Sequence, residues 1–248
     1  MLRPVYKLAE NAVSASLREA VVSFSFDDFP ISAGTAGAGI LADHGARGTF
    51  YVAGSLVGTS SHQYGGFCRR DDLAALIAAG HEIGCHTYGH ARVSTLSPRG
   101  LIEELDRNAA FVGRHLGGYA MRSFAYPFGD ISPLRKLQVQ TRFASCRGNA
   151  PGINAGRIDL GDLRAERVYE QSIDHDRVAA LLRSAASKPA WLIFYTHDVA
   201  ENPSPYGCTP ATFERVVQAV ADAGIRILTV ADAAALVTGA QGSAPPAA

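Results

Sequence analysis

Tryptophan, methionine and cysteine are scarce in this chain of 248 residues, which holds one, two and four of them. Cys68, Cys85, Cys146 and Cys208 are too few for a disulfide scaffold, and none forms a CxxC pair. They read as small buried thiols. Net charge is also absent: 23 basic side chains balance 23 acidic ones, without a block of five or six like charges. That excludes the electrostatic footprint of a general nucleic-acid binder and a polybasic membrane arm. Long apolar runs are missing too, since stretches such as residues 190–195 are far too short to cross a bilayer. Residues 1–20 are broken by Arg3, Lys7, Glu10, Arg18 and Glu19, so they lack the apolar core of a signal peptide. The expectation is a cytoplasmic protein acting on a neutral or locally recognised substrate, with no nucleic-acid partner and no membrane insertion. No repeat of 20–50 residues and no dividing linker is visible.

What the chain does have is core: 47% of its residues are apolar, ample for one large domain. Strand and helix signals alternate from residue 20. Residues 20–26 are rich in β-formers and stop at Asp27-Asp28-Phe29-Pro30. Residues 48–52 and 81–86 read as further strands, with a short helix at 71–79 between them that Gly80 ends. Ser97-Pro98 starts a helix whose Leu101, Leu105, Val112 and Leu116 recur at helical spacing up to Gly117-Gly118. Strands are expected at 123–128, 143–146, 191–195 and 225–230, and helices at 212–223 and 231–237. We expect an extension over 1–19, one catalytic domain over 20–238 and a frayed tail over 239–248. The βα alternation argues for a parallel sheet covered by helices: a (β/α) barrel first, a doubly wound open sheet second. Either fold puts function at the C-terminal ends of the strands.

Those ends carry the chemistry. Asp27 and Asp28 are adjacent, so both enter one site only where the strand is ending. Paired carboxylates suit a division of labour between cation binding and proton transfer, although an acidic pair is also an ordinary turn. His86 and His90 are four apart and meet on one face if their loop makes a helical turn. With Asp28 they would form a three-ligand site with positions left for water, as in catalytic metal centres, and imidazole suits zinc, cobalt or nickel. His197, ending the strand at 191–195, is placed for a general acid.

Ser25-Phe26-Asp27-Asp28, His86-Thr87-Tyr88-Gly89-His90, Ala125-Tyr126-Pro127-Phe128-Gly129 and Tyr195-Thr196-His197 follow in an order that resembles the polysaccharide deacetylase family. The resemblance to this family, carbohydrate esterase family 4, runs from about residue 20 to 237. It implies a distorted (β/α) barrel of about seven parallel strands that removes acetyl groups from acetylated sugars, with acetylated carbohydrate as the substrate partner. It implies Asp27 as catalytic base, Asp28, His86 and His90 as ligands of one divalent metal, and His197 as catalytic acid. Phe128 falls where the family's backbone N–H helps hold the oxyanion. Zinc is expected first, with cobalt, nickel or manganese as alternatives. Two departures stand out. Ala125 occupies the position of an arginine that orients the base; Arg122 or Arg147 would have to replace it, and Arg147 is the expected one because it follows the strand at 143–146. The fourth motif's acidic residue and tryptophan are also missing, Asp159 and Asp162 being the only substitutes in view. Tyr51, Tyr88 and Tyr126, with Tyr206, are candidate surfaces for a sugar ring.

Other classes stay open. A metal amidase on a non-sugar amide would share this barrel, a degenerate carbohydrate-binding barrel would lack catalysis, and an iron oxygenase would use the same ligand types on a different fold.

Overall fold

A computed structural model describes residues 11–15 and 17–239. The expected tail, apart from Gly239, lies outside the described residues. The first half of the chain forms β1 (Ala12–Ser14), β2 (Val21–Phe26), a π-turn (Ala33–Gly37), α1 (Ala38–Asp43) and β3 (Thr49–Val52). A small hairpin, β4 (Ser60–Ser61) and β5 (Gly65–Gly66), precedes α2 (Arg70–Ala78), β6 (Glu82–Cys85) and α3 (Pro98–His115). Then come β7 (Ser123–Ala125), α4 (Pro133–Val139), β8 (Ser145–Arg147), β9 (Arg157–Asp159) and β10 (Glu166–Arg167). The chain ends through α5 (His175–Ser187), β11 (Trp191–Thr196), α6 (Pro210–Asp222), β12 (Arg226–Ile227) and α7 (Val230–Thr238).

Seven parallel strands, in the order β10-β11-β2-β3-β6-β7-β8, curl into a half-barrel, and β12 pairs with the start of β2. Between the outer strands β8 and β10, the intervening chain is stitched in by the bridges Arg147↔Leu163 and Asn154↔Trp191. Of the expected extension, β1 pairs antiparallel with β9. The helices are amphipathic: Leu101, Leu105, Asn108 and Val112 of α3 are buried, and Ser97 caps it by accepting the Gly100 N–H at 3.0 Å.

Alternation along β2 sets the layers. Val22, Phe24 and Phe26 join the core between sheet and helices, where Phe26 stacks on Phe50 at 4.7 Å and Phe24 meets Phe194 and Phe213 at 5.5 Å. Each such ring contributes roughly 1.5–3 kcal/mol by leaving water. On the other face, Ser23 accepts the indole N–H of Trp191 at 3.0 Å. At the strand starts Glu82 is fully buried, its carboxylate taking hydrogen bonds from Thr49 Oγ1 (2.8 Å), Ser123 Oγ (2.6 Å) and the Ala231 N–H at the start of α7 (2.9 Å). Burial raises its pKa, and three donors with a helix N-terminus offset part of the desolvation. That end is sealed. Function is left to the other.

Several boundaries differ from the sequence expectation. The strand at 123–128 stops at Ala125, because Pro127 has no N–H to donate and opens a 3-10 turn at Pro127–Gly129. The strand at 143–146 begins only at Ser145, and 225–230 shrinks to Arg226–Ile227 because Thr229 caps α7 by accepting the Asp232 N–H at 3.2 Å. Helices α4 and α5 and the hairpin β4–β5 have no counterpart in the sequence reading. Among the described residues, no helix is long and apolar enough to cross a membrane.

Candidate active site

Five non-glycine residues among those described have a left-handed backbone: Asp28 (φ 60°), Phe29 (56°), Thr87 (58°), His90 (51°) and Phe128 (61°). All five lie in the loops after β2, β6 and β7. Each costs about 1–2 kcal/mol for an L-residue, so strain is concentrated at the ends of three strands of the one sheet, β6 and β7 side by side and β2 separated from them by β3. The first turn explains how adjacent carboxylates share a site: reversal of φ at Asp28 breaks the strand's alternation and brings both inward. Asp27 and Asp28 are each 6% exposed and both line one cleft.

The histidine pair converges differently from the expectation. Residues 86–90 make no helical turn; left-handed Thr87 and His90 fold the loop back instead. Thr87 Oγ1 accepts the Ala91 N–H at 2.9 Å, and Glu104 of α3 accepts that of Gly89 at 2.6 Å. The two imidazoles end 5.0 Å apart between centroids.

Asp28, His86 and His90 each place a ligand atom within 4.8 Å of the others. His86 Nδ1 lies 2.8 Å from the Ala125 carbonyl, which can only accept, so the ring proton sits there and Nε2 keeps its lone pair. That lone pair faces Asp28 Oδ1 at 3.5 Å, and His90 Nε2 lies 3.1 Å from the same oxygen. Asp28 Oδ1 is buried without a hydrogen bond. Burial pushes Asp28 up to about 6 and pulls His86 down to about 3, and it lowers His90 as well. Neutral imidazoles around an unsatisfied carboxylate oxygen are the donor set of a borderline divalent cation, so these residues fit a metal.

Burial alone would raise Asp27, but Arg147 outweighs it, aided by His86 and His197, and the carboxyl lies below its ordinary value. Arg147 Nη2 donates to Asp27 Oδ1, while Nη1 donates to the Gly148 carbonyl at 2.9 Å. Its guanidinium is buried, 5.2 Å from the Tyr51 ring centroid and 4.8 Å from that of Tyr195. Arg122 is elsewhere, 3.4 Å from Asp232. Ala125 and Arg147 are register partners on β7 and β8. The guanidinium absent from Ala125 therefore comes from one strand over, on the same layer of the sheet.

His197 lines the same cleft, and so does Phe128, which is 52% exposed, packs against His90 at 4.4 Å and carries Arg92 4.2 Å above its ring. The cleft holds about 570 Å³. Three tyrosines depart from the expectation. Tyr51 is fully buried in the sheet beneath Arg147, and Tyr126 is buried with its hydroxyl donating to the Gly161 carbonyl at 3.0 Å. Tyr88 lies behind the loop, 4.1 Å from Arg107. None lines the cleft, because two sit on strands or their ends with side chains directed into packed layers and the third is turned toward α3. Tyr206 does line it, with Tyr64, Tyr169 and Tyr195. Tyr64 and Tyr169 sit in loops without periodicity, so no sequence signal marked them. Neither Asp159 nor Asp162 borders the cleft; Asp159 pairs with Lys136.

A curled parallel half-barrel with two acids, two histidines and a further histidine at its strand ends defines a hydrolase-like centre on a (β/α) scaffold. A sequence profile of the polysaccharide deacetylase family matches residues 14–142, and the chain belongs to that family. A probable peptidoglycan-N-acetylglucosamine deacetylase of Arthroderma benhamiae is 28% identical over 116 residues, 46% of this chain and 24% of the relative. The chain thus spans about a quarter of that protein's length. Among solved structures, a family 4 acetyl xylan esterase from Clostridium thermocellum with a cobalt ion aligns at a TM-score of 0.61 and 19% identity, covering 89% of this chain and 93% of that one. A family 4 pseudoenzyme from Bacillus anthracis aligns at 0.57 and 15%, covering 88% and 66%. These two likenesses concern the fold.

Proposed function

We propose that this chain is a metal-dependent hydrolase that removes the acetyl group from N-acetylated sugars. The observation that carries this is the pairing, in one cleft, of the Asp28–His86–His90 donor set with Asp27 held by Arg147. Asp28, His86 and His90 would hold one divalent metal, zinc first. When bound, the metal supplies Lewis acidity toward water and the acetyl carbonyl. Asp27 accepts the proton of the attacking water, and Arg147 keeps it ionised and fixed in angle. The backbone N–H of Phe128 donates to the developing oxyanion. His197 gives a proton to the departing nitrogen as the carbon–nitrogen bond breaks, leaving acetate and a free amine. The non-catalytic alternative drew on Ala125; the guanidinium of Arg147 weakens that ground.

The test is acetate release from N-acetylated chito-oligosaccharides, acetylated xylan and simple amides, with elemental analysis of the same preparation. One divalent metal per chain is expected, with release from N-acetyl sugars abolished by a chelator and restored by zinc or cobalt. Faster turnover of a non-sugar amide than of every glycan would overturn the substrate class. Activity indifferent to chelation in a metal-free preparation would overturn the metal assignment.

A further inference from the structure

His197 lacks the hydrogen bond that ordinarily orients a catalytic histidine. Its Nδ1 is buried and unpartnered. The adjacent carboxylate does not help: Asp198 accepts from the Ser204 N–H at 2.7 Å and from Ser204 Oγ at 2.6 Å, which commits it to shaping the following loop. Such a histidine would normally have its ring angle set by a partner at the second nitrogen. Aromatic rings surround it instead. Tyr64 stacks on it with centroids 5.9 Å apart and planes 7° from parallel, while Tyr206 lies at 5.5 Å and 42° and Tyr169 at 5.9 Å and 59°.

The three rings arrive independently. Tyr64 sits in the turn of the β4–β5 hairpin, where Ser61 Oγ accepts its N–H at 3.1 Å. The hairpin is anchored by Phe67, in a bridge to Pro30 and edge-on to Tyr64 at 5.7 Å. Tyr206 belongs to the Asp198 loop, and its carbonyl accepts the His197 N–H at 3.2 Å. Tyr169 follows β10, next to Val168, whose N–H donates to the Tyr195 carbonyl at 2.8 Å. With Nδ1 enclosed, Nε2 is the nitrogen that can face the cleft.

We infer that Tyr64, seconded by Tyr169 and Tyr206, is a positioning residue that clamps His197 by ring stacking in place of a hydrogen bond. The role of His197 as acid belongs to the function proposed above; the clamp is a geometric claim and is tested separately. The phenol ring, not the hydroxyl, does the work, so Tyr64→Phe should keep the clamp and Tyr64→Leu should lose it.

Two readouts decide the matter on the metal-loaded full chain. In proton NMR, the His197 ring resonances, assigned by their loss in His197→Asn, should shift in Tyr64→Leu as the neighbouring ring and the angle it sets are lost. In Tyr64→Phe they should stay close to wild type. In kinetics, Tyr64→Leu should lower kcat by about 10–10²-fold, the scale of a misplaced reacting group, with KM within about twofold and metal content unchanged. Tyr64→Phe should recover kcat to within about threefold of wild type. Unmoved His197 resonances in Tyr64→Leu would overturn the clamp, as would a rise in KM at constant kcat, which would make Tyr64 a substrate contact. Tyr64→Phe as impaired as Tyr64→Leu would transfer the role to the hydroxyl and also overturn it. If the wild type released acetate from nothing, the deacetylase proposal would fall while the NMR comparison still decided the clamp.

Discussion

Asp27 and Asp28 are chain neighbours with opposite electrostatic fates. Both are buried, which by itself raises a carboxyl pKa. Arg147 reverses that effect at Asp27, whereas Asp28 faces only imidazoles and is pushed up to about 6. One is thus a fixed anion suited to receive a proton, the other a carboxylate short of positive charge and suited to a cation. The division of labour follows in Asp27→Asn, which removes the proton acceptor and leaves the donor set whole. It should retain the metal by elemental analysis while acetate release falls roughly 10²–10⁴-fold. Near-normal turnover would refute the assignment of the base. The residue types were legible in the sequence as an acidic pair and a spaced histidine pair. Their opposite protonation tendencies were not, because they depend on a guanidinium 120 residues away.

At the scale of elements, strand register explains how the barrel tolerates Ala125. Parallel neighbours in register send their side chains to the same face, and Ala125 pairs with Arg147. An arginine on either strand therefore starts from the same layer. Arg147→Ala should depress acetate release at least as strongly as Asp27→Asn, since it leaves a buried carboxylate unpaired. The exchange variant Ala125→Arg with Arg147→Ala should recover about tenfold or more of that loss, as expected for residues coupled through one partner. No recovery, in a variant whose circular dichroism and metal content match wild type, would show that β7 cannot present the group. The left-handed turns belong to this scale as well. HxxxH spacing pointed to a helical turn, yet strain at Thr87 and His90 performs the convergence, and local sequence carries no mark of it because neither residue is glycine.

Across the whole molecule the two ends of the half-barrel have different tasks, and the sealed end governs stability. There the Gly48 N–H donates to Nδ1 of His81 at 3.0 Å, and the ring meets Phe50 edge-on at 5.4 Å. Burial, with Arg47 nearby, pulls His81 down to about 4. A free histidine titrates near 6.5, so the unfolded chain binds a proton there before the folded one does. Stability from this residue is therefore complete above about pH 6.5, is lost as pH falls toward 4, and amounts to something on the order of 1–3 kcal/mol. In urea titrations at pH 7 and pH 4.5, wild type should lose more stability than His81→Gln, whose amide can still accept from Gly48. Equal losses in both proteins would remove His81 from the acid response.

Composition and periodicity were enough to determine an α/β fold with parallel strands, because burial on two faces writes apolar strands and amphipathic helices directly into the residue order. The quoted motifs singled out Asp27, Asp28, His86, His90 and His197, and all five border one cleft. Tertiary structure alone decided which distant groups complete them. It seated Arg147 against Asp27, withdrew Tyr51, Tyr88 and Tyr126 from the cleft, and brought Tyr64 and Tyr169 to His197. The reason is physical: a side chain's partners across a curled sheet are set by strand order, register and twist, and these are properties of the packed whole that no local stretch of sequence contains.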